Sequence, residues 1–143
     1  MPHLVDNTVL IPEMVRLLHD GKSVTFTPTG VSMRPFIEGG QDSVLLSTAE
    51  TLRVGDIVLA QITPDHYVLH RLIALQGDQV TLMGDGNIVG QEHCLRSDVL
   101  AKVQQITSPK GHRKPITRGR LWLALLPMRR ILLKVYRHTP RLL

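Results

Sequence analysis

The chain has 143 residues, 17 Lys and Arg against 12 Asp and Glu, a formal net charge of +5, and a single cysteine, Cys94. That length makes one domain that can bury a core of its own, and one cysteine excludes an internal disulfide framework and any need for an oxidising compartment. There is no internal repeat and no low-complexity tract.

The first predicted element is a short amphipathic helix within residues 1–22. Apolar residues at 10, 11, 14, 15, 17 and 18 form one face, Pro12 lies near its start, and Gly21 lies just past its end. Strands are predicted near 23–28, 42–47, 56–63, 67–75, 79–84 and 98–107. The turns between them are marked by Gly39-Gly40, Thr63-Pro64-Asp65, Gln76-Gly77-Asp78 and Gly84-Asp85-Gly86-Asn87. Short β-branched runs at this spacing predict a mostly β fold of coiled antiparallel sheets, with short helices at the two ends. The chain therefore divides into an N-terminal helix (1–22), a β domain (23–107) and a basic tail (108–143).

Between the first two strands runs Gly30-Val31-Ser32-Met33-Arg34-Pro35-Phe36. Glycine admits conformations closed to other residues, and Pro35 fixes its own φ and keeps Arg34 out of the helical region. Ser32 is thus expected on a rigid, partly extended corner that holds its Oγ in one direction. Serine beside glycine and proline more often marks an ordinary turn, so this segment alone does not make a nucleophile.

On the predicted strand at 67–75, alternation places Val68, His70, Leu72 and Ala74 on one face and Tyr67, Leu69, Arg71 and Ile73 on the other. Desolvation among apolar neighbours disfavours the imidazolium, so His70 is expected to be neutral near pH 7 and able to accept a proton. A lone histidine on an apolar face is more often a hydrogen-bonded core residue. The serine segment shifts the balance toward a general base.

The order S-M-x-P at Ser32, G-D-I-V at Gly55-Asp56-Ile57-Val58, a V-x-H-R-x-I strand through His70, and G-D-x-N at Gly84-Asp85-Gly86-Asn87 resembles the serine peptidase clan of type I signal peptidases and self-cleaving SOS-response (LexA-like) repressors. The resemblance covers about residues 24–103. In that clan the serine is activated by lysine in bacterial signal peptidases and repressors, and by histidine in the endoplasmic-reticulum and archaeal type. Histidine stands in the base position here, while glycine two residues before the serine is closer to the repressor branch. The resemblance implies a barrel-like β core and a serine endopeptidase with Ser32 as nucleophile and His70 as general base. It also implies the Ser32 backbone N–H as an oxyanion donor.

Histidine-type relatives place an aspartate a few residues after their G-D-N-N turn, where this chain reads Ile88-Val89-Gly90-Gln91-Glu92. Glu92 and Asp85 are the candidates to orient His70, and a Ser/His dyad without an acid is the third possibility. Against them, an aspartate next to glycine commonly bonds its own turn, and Glu92 can be a solvated charge. Arg34 is a weak candidate for substrate contact, a solvated turn arginine being the plainer reading. His93 and Cys94 are adjacent and lack the spaced partners of a zinc site, so neither a metal nor any other cofactor is expected.

Charge is uneven along the chain: residues 1–98 hold six Lys/Arg and all twelve acids, and residues 99–143 hold eleven Lys/Arg and no acid. The tail also carries Leu121-Trp122-Leu123-Ala124-Leu125-Leu126 and Ile131-Leu132-Leu133-Lys134-Val135-Tyr136, both far shorter than the roughly 20 residues of a membrane span. It reads as an interfacial segment, with Trp122 and Tyr136 as anchors, that meets an anionic membrane surface or a protein partner. The alternative is a C-terminal helix packed on the domain with a solvated basic face.

No signal peptide or transmembrane span is read, so the expectation is a cytoplasmic protein for which peripheral attachment to the inner membrane is an option, and the expected substrate is a peptide or protein precursor. The rival readings are a non-catalytic regulatory or binding module on the same fold, and a nucleic-acid binder driven by the basic tail. The few aromatics and the lack of room for a helix-turn-helix before residue 22 argue against nucleic acid.

Overall fold

The computed structural model describes residues 3–5 and 11–138. Its strands, in chain order, are β1 (His3–Val5), β2 (Val24–Phe26), β3 (Ser43–Thr48), β4 (Ile57–Thr63), β5 (His66–Gln76), β6 (Gln79–Met83), β7 (Glu92–Leu95), β8 (Val99–Thr107) and β9 (Arg113–Lys114). They join in one sheet of order β1-β2-β3-β8-β4-β5-β6-β7, with β9 added to β8. Every pairing is antiparallel except that of β1 with β2. The sheet curls into a half-barrel, and the fold is mostly β with short helices toward the two ends, as the turn spacing predicts.

The helix α1 (Ile11–His19) turns Met14, Leu17 and Leu18 onto one face of the sheet. Full burial of each such side chain contributes about 1.5–3 kcal/mol. Its end is a Schellman turn: Gly21 N–H donates to Leu18 O at 3.0 Å and Lys22 N–H to Leu17 O at 3.0 Å, with Gly21 at φ +78°. Leu10, counted in the predicted apolar face, lies outside the described residues.

Alternation along β4 sends Ile57 and Leu59 to the α1 side and Val58 and Ala60 to the other, so this central strand is buried on both faces. The second cluster collects Val58, Val68, Leu72, Val80, Leu82 and Cys94. On β5, Val68, His70 and Leu72 share that face, as predicted. Ala74 does not: the register shifts between Leu72 and Ala74, which turns Leu75 onto the cluster and leaves Ala74 exposed. The extra residue of a bulge reverses the alternation beyond it.

Three strands were not predicted. β7 is short and polar, with Cys94 its one buried residue; β1 and β9 are of three and two residues. Beyond β9, α2 (Arg120–Ala124) and α3 (Arg129–His138) are joined by a 3-10 turn over Leu126–Met128 that contains Pro127. No helix among the described residues is long and apolar enough to cross a membrane.

Candidate active site

The serine segment is held by glycines that let backbones touch. Gly30 has φ +88°, and a Cβ on Gly39 would collide with the Gly30 carbonyl, so the two ends of the loop close on each other. Within it, Arg34 N–H donates to Val31 O at 3.2 Å, and Phe36 and Ile37 N–H both donate to Met33 O at 3.0 Å. The corner is therefore a coiled series of turns rather than the partly extended one expected, and the Arg34–Pro35 peptide is cis. Met33 and Ile37 are 5% and 1% exposed in the α1-side core. These two anchors fix Ser32 between exposed Val31 and buried Met33.

The Gly84-Asp85-Gly86-Asn87 turn packs directly on this segment. Gly86 N–H donates to Ser32 O at 2.7 Å, and Asp85 N–H points at Met33 Sδ at 3.4 Å. A Cβ on Gly84 would collide with the Ser32 carbonyl oxygen, and one on Gly86 with the Val31 carbonyl oxygen. The two segments, 54 positions apart from Ser32 to Gly86, can meet only because both positions lack side chains.

His70 comes to the same place by register. Met83 pairs with Arg71, so the next residue, Gly84, falls opposite His70, and a Cβ there would sit 3.1 Å from His70 Nε2. The other ring nitrogen, Nδ1, lies 2.5 Å from Glu92 Oε1 at the start of β7. Their side chains are 9% and 21% exposed. With Nδ1–H donated to the carboxylate, the lone pair of the neutral ring is on Nε2, on the side where Gly84 meets Ser32. Ser32, His70 and Glu92 border one cleft of about 390 Å³, whose walls include Met14, Phe26, Ile37, Leu59 and Leu69. No hydrogen bond joins Ser32 Oγ to His70 among the described residues, and the Ser32 N–H is likewise without an acceptor there.

Of the two acid candidates, the structure brings only Glu92 to His70. Asp85, 1% exposed, is committed to Arg71: Nε donates to Oδ1 at 3.1 Å and Nη2 to Oδ2 at 2.6 Å. Arg71 also donates Nη1 to the carbonyls of Gly55 and Thr117, and its guanidinium stacks 5.1 Å from the Phe36 ring centre. His70 and Arg71 thus serve opposite faces of β5, one for the cleft and one for a buried ion pair that fixes the turn beneath Ser32. Arg71 is not among the sequence candidates; its signal is the His-Arg pair on a strand together with an aspartate between two glycines.

Arg34 does not line the cleft. Its Nε and Nη2 grip the Glu38 carboxylate at 2.7–3.1 Å, and the guanidinium lies 6.0 Å from the Tyr136 ring centre. Tyr136 OH donates to the same carboxylate at 3.0 Å. Burial opposes ionisation of Glu38, but the hydrogen bonds from Arg34 and Tyr136 outweigh it and hold its carboxyl below the ordinary value. Burial and the bond to Glu38 push the Tyr136 phenol up to about 12.

The C-terminal segment closes the site from behind. Trp122 Nε1 donates to Asp85 O at 2.6 Å and meets Phe36 edge-on, with ring centres 6.1 Å apart. Arg129, 2% exposed, donates Nη1 to Gly84 O at 3.3 Å and Asn87 O at 3.0 Å, with its guanidinium 5.2 Å from the Trp122 ring centre. Burial lowers the Arg129 pKa, with Asp85 opposing the shift and Arg71 adding to it. Trp122 and Tyr136, expected as interfacial anchors, are spent on these inward contacts.

The remaining reactive side chains stand apart. Cys94 is buried, and burial, aided by Asp98 and Glu92, raises its thiol pKa, which makes it a poor nucleophile. His93 faces Thr81 Oγ1 at 3.3 Å. Among the described residues no three His, Cys, Asp or Glu side chains are grouped to hold a metal ion. No protein-family model matches the chain, and no curated protein matches it.

Proposed function

We propose that this chain is a serine endopeptidase of the signal-peptidase and LexA-like clan that cleaves a peptide or protein precursor. One observation carries the reading: His70 is held by Glu92 through Nδ1 at 2.5 Å while its Nε2 and the Ser32 turn meet at Gly84 in the same cleft. A buried histidine bonded only for structure has no need of a serine turn at its second nitrogen.

In this mechanism Ser32 Oγ attacks the scissile carbonyl carbon and gives its proton to His70 Nε2. His70 returns that proton to the departing amine, which leaves an acyl-enzyme ester that water, activated by the same nitrogen, hydrolyses. Glu92 holds the tautomer and stabilises the imidazolium. The Ser32 N–H faces the oxyanion, and removing one such donor in comparable enzymes costs about 10²–10³ in rate. The hydroxyl reaches Nε2 when substrate fills the cleft, since catalytic hydrogen bonds often tighten only in the loaded enzyme. The reading includes a cytoplasmic location at the inner leaflet, supported by the basic C-terminal third.

A second reading, a non-catalytic binding module on the same fold, draws on the missing bond between Ser32 Oγ and His70. A random peptide library incubated with the protein and read by mass spectrometry separates the two. The hydrolase reading predicts cleavage that Ser32→Ala and His70→Ala each remove. An uncleaved library, or cleavage that survives Ser32→Ala, contradicts it.

A further inference from the structure

We propose that the outward face of the C-terminal segment, from α2 through α3, docks on an anionic lipid bilayer. The period of α3 divides it: Arg129, Leu132, Leu133 and Tyr136 are turned to the domain, and Arg130, Ile131, Lys134 and Val135 are exposed. The exposed apolar residues are large. Ile131 is 61% exposed and Val135 57%, with Leu121 at 73% in α2 and Met128 at 49% in the turn between the helices.

The same segment carries Arg120, Arg130, Lys134 and Arg137, all exposed, and no acid occurs between residues 99 and 143. Leu121 also lines a groove shared with Phe36, Trp122, Leu125, Arg118 and Arg120.

Charge complementarity selects the occupant. Aliphatic side chains beside long basic ones suit a bilayer surface, where the aliphatics enter the acyl boundary and the Lys and Arg heads reach back to lipid phosphates. A nucleic acid offers phosphates but gives Leu121, Ile131 and Met128 nothing to enter. The aromatic residues that would stack on its bases, Trp122 and Tyr136, are held inward by Asp85 and Glu38. The docking residues are therefore the aliphatics, not the tryptophan and tyrosine that interfacial segments ordinarily use.

The inner face of the same segment holds the Gly84–Asn87 turn, so the bilayer would lie one helix layer behind the catalytic turns. The docking surface stands without the hydrolase reading, because it uses neither Ser32 nor His70.

The test is sedimentation of the full chain with vesicles of phosphatidylcholine alone or with about one third phosphatidylglycerol, at low salt and near 0.5 M salt, alongside duplex DNA and single-stranded RNA. The expected result is binding to the anionic vesicles at low salt, weakened at least about tenfold by salt or by neutral lipid. Leu121→Asp with Ile131→Asp, and separately Arg130→Glu with Lys134→Glu, are expected to weaken it as much without shifting thermal unfolding. Failure to bind either vesicle, equal binding to neutral vesicles, indifference to both variant pairs, or tighter binding to nucleic acid would each overturn the proposal. Binding is read with Ser32→Ala as well as the unmodified chain, so loss of the hydrolase reading leaves this result interpretable.

Discussion

The Glu92 carboxylate lies 2.5 Å from His70 Nδ1, although the two residues are 22 positions apart and sit on strands separated by a third. Gly84, opposite His70, lacks a side chain that would crowd the other ring nitrogen, Nε2, on the side of Ser32. If His70 is the general base proposed above and this contact sets its tautomer, Glu92→Gln leaves the fold intact and lowers turnover by about 10²–10⁴-fold. Library cleavage rates paired with a thermal unfolding curve check it. An unchanged rate would mean the acid plays no part.

Asp85 is expected to behave in the opposite way. It is fully enclosed and paired with Arg71, so Asp85→Ala leaves a buried guanidinium without its partner, at a cost of about 3–5 kcal/mol. Replacing Arg71 by Met and Asp85 by Leu together should cost less than either single change, because the stranded charge is removed. Urea unfolding of the three variants measures this.

Gly84→Ala tests the close approach. The new Cβ would press on the Ser32 carbonyl oxygen, a backbone atom that cannot move without the serine turn, and would lie 2.8 Å from Asn87 Nδ2. Overpacking of this kind costs about 1–3 kcal/mol. Here it should also displace Ser32, so reactivity falls further than stability alone explains. Gly77→Ala, at φ +60° with open space around it, is the control for strain remote from the site.

The Glu38–Tyr136 pair sets a pH window for the attachment of α3. Glu38 has a depressed folded value, so its contribution is present above the ordinary 4.5 and is lost as pH falls through that depressed value. Tyr136 is raised from 10.0 to about 12, so its contribution is complete below pH 10 and disappears as pH rises toward 12. Tyr136→Phe should therefore flatten the alkaline limb of the thermal midpoint against pH and shift the acid limb upward. A Tyr136→Phe profile that overlays the parent at both ends would refute the assignment.

Much of the fold was legible because strands with alternating burial announce themselves. β3, β4, β5, β6 and β8 fall within a residue or so of their predicted places, and the Schellman end of α1 follows from Gly21. The cleft was legible in part: Ser32 and His70 stand out by residue type, but choosing Glu92 over Asp85 needs the sheet register, which depends on where β6 meets β7. β7 escaped because Glu92-His93-Cys94-Leu95 carries too little apolar alternation to declare a strand. The bulge near Ile73 was invisible for a related reason, since an extra residue leaves no trace in composition. A C-terminal helix packed on the domain is one of the two readings the sequence offers, but the partners of Trp122 and Arg129 are not legible in it, because they are carbonyls of the Gly84–Asn87 turn and backbone acceptors have no sequence signature.

The most direct measurement is intact-mass and peptide-mapping analysis of the chain after treatment with a fluorophosphonate. One adduct on Ser32 Oγ is expected, absent in Ser32→Ala and formed at least about 10²-fold more slowly in His70→Ala. An unmodified chain, an adduct on another residue, or labelling of Ser32 that is indifferent to His70 would contradict it.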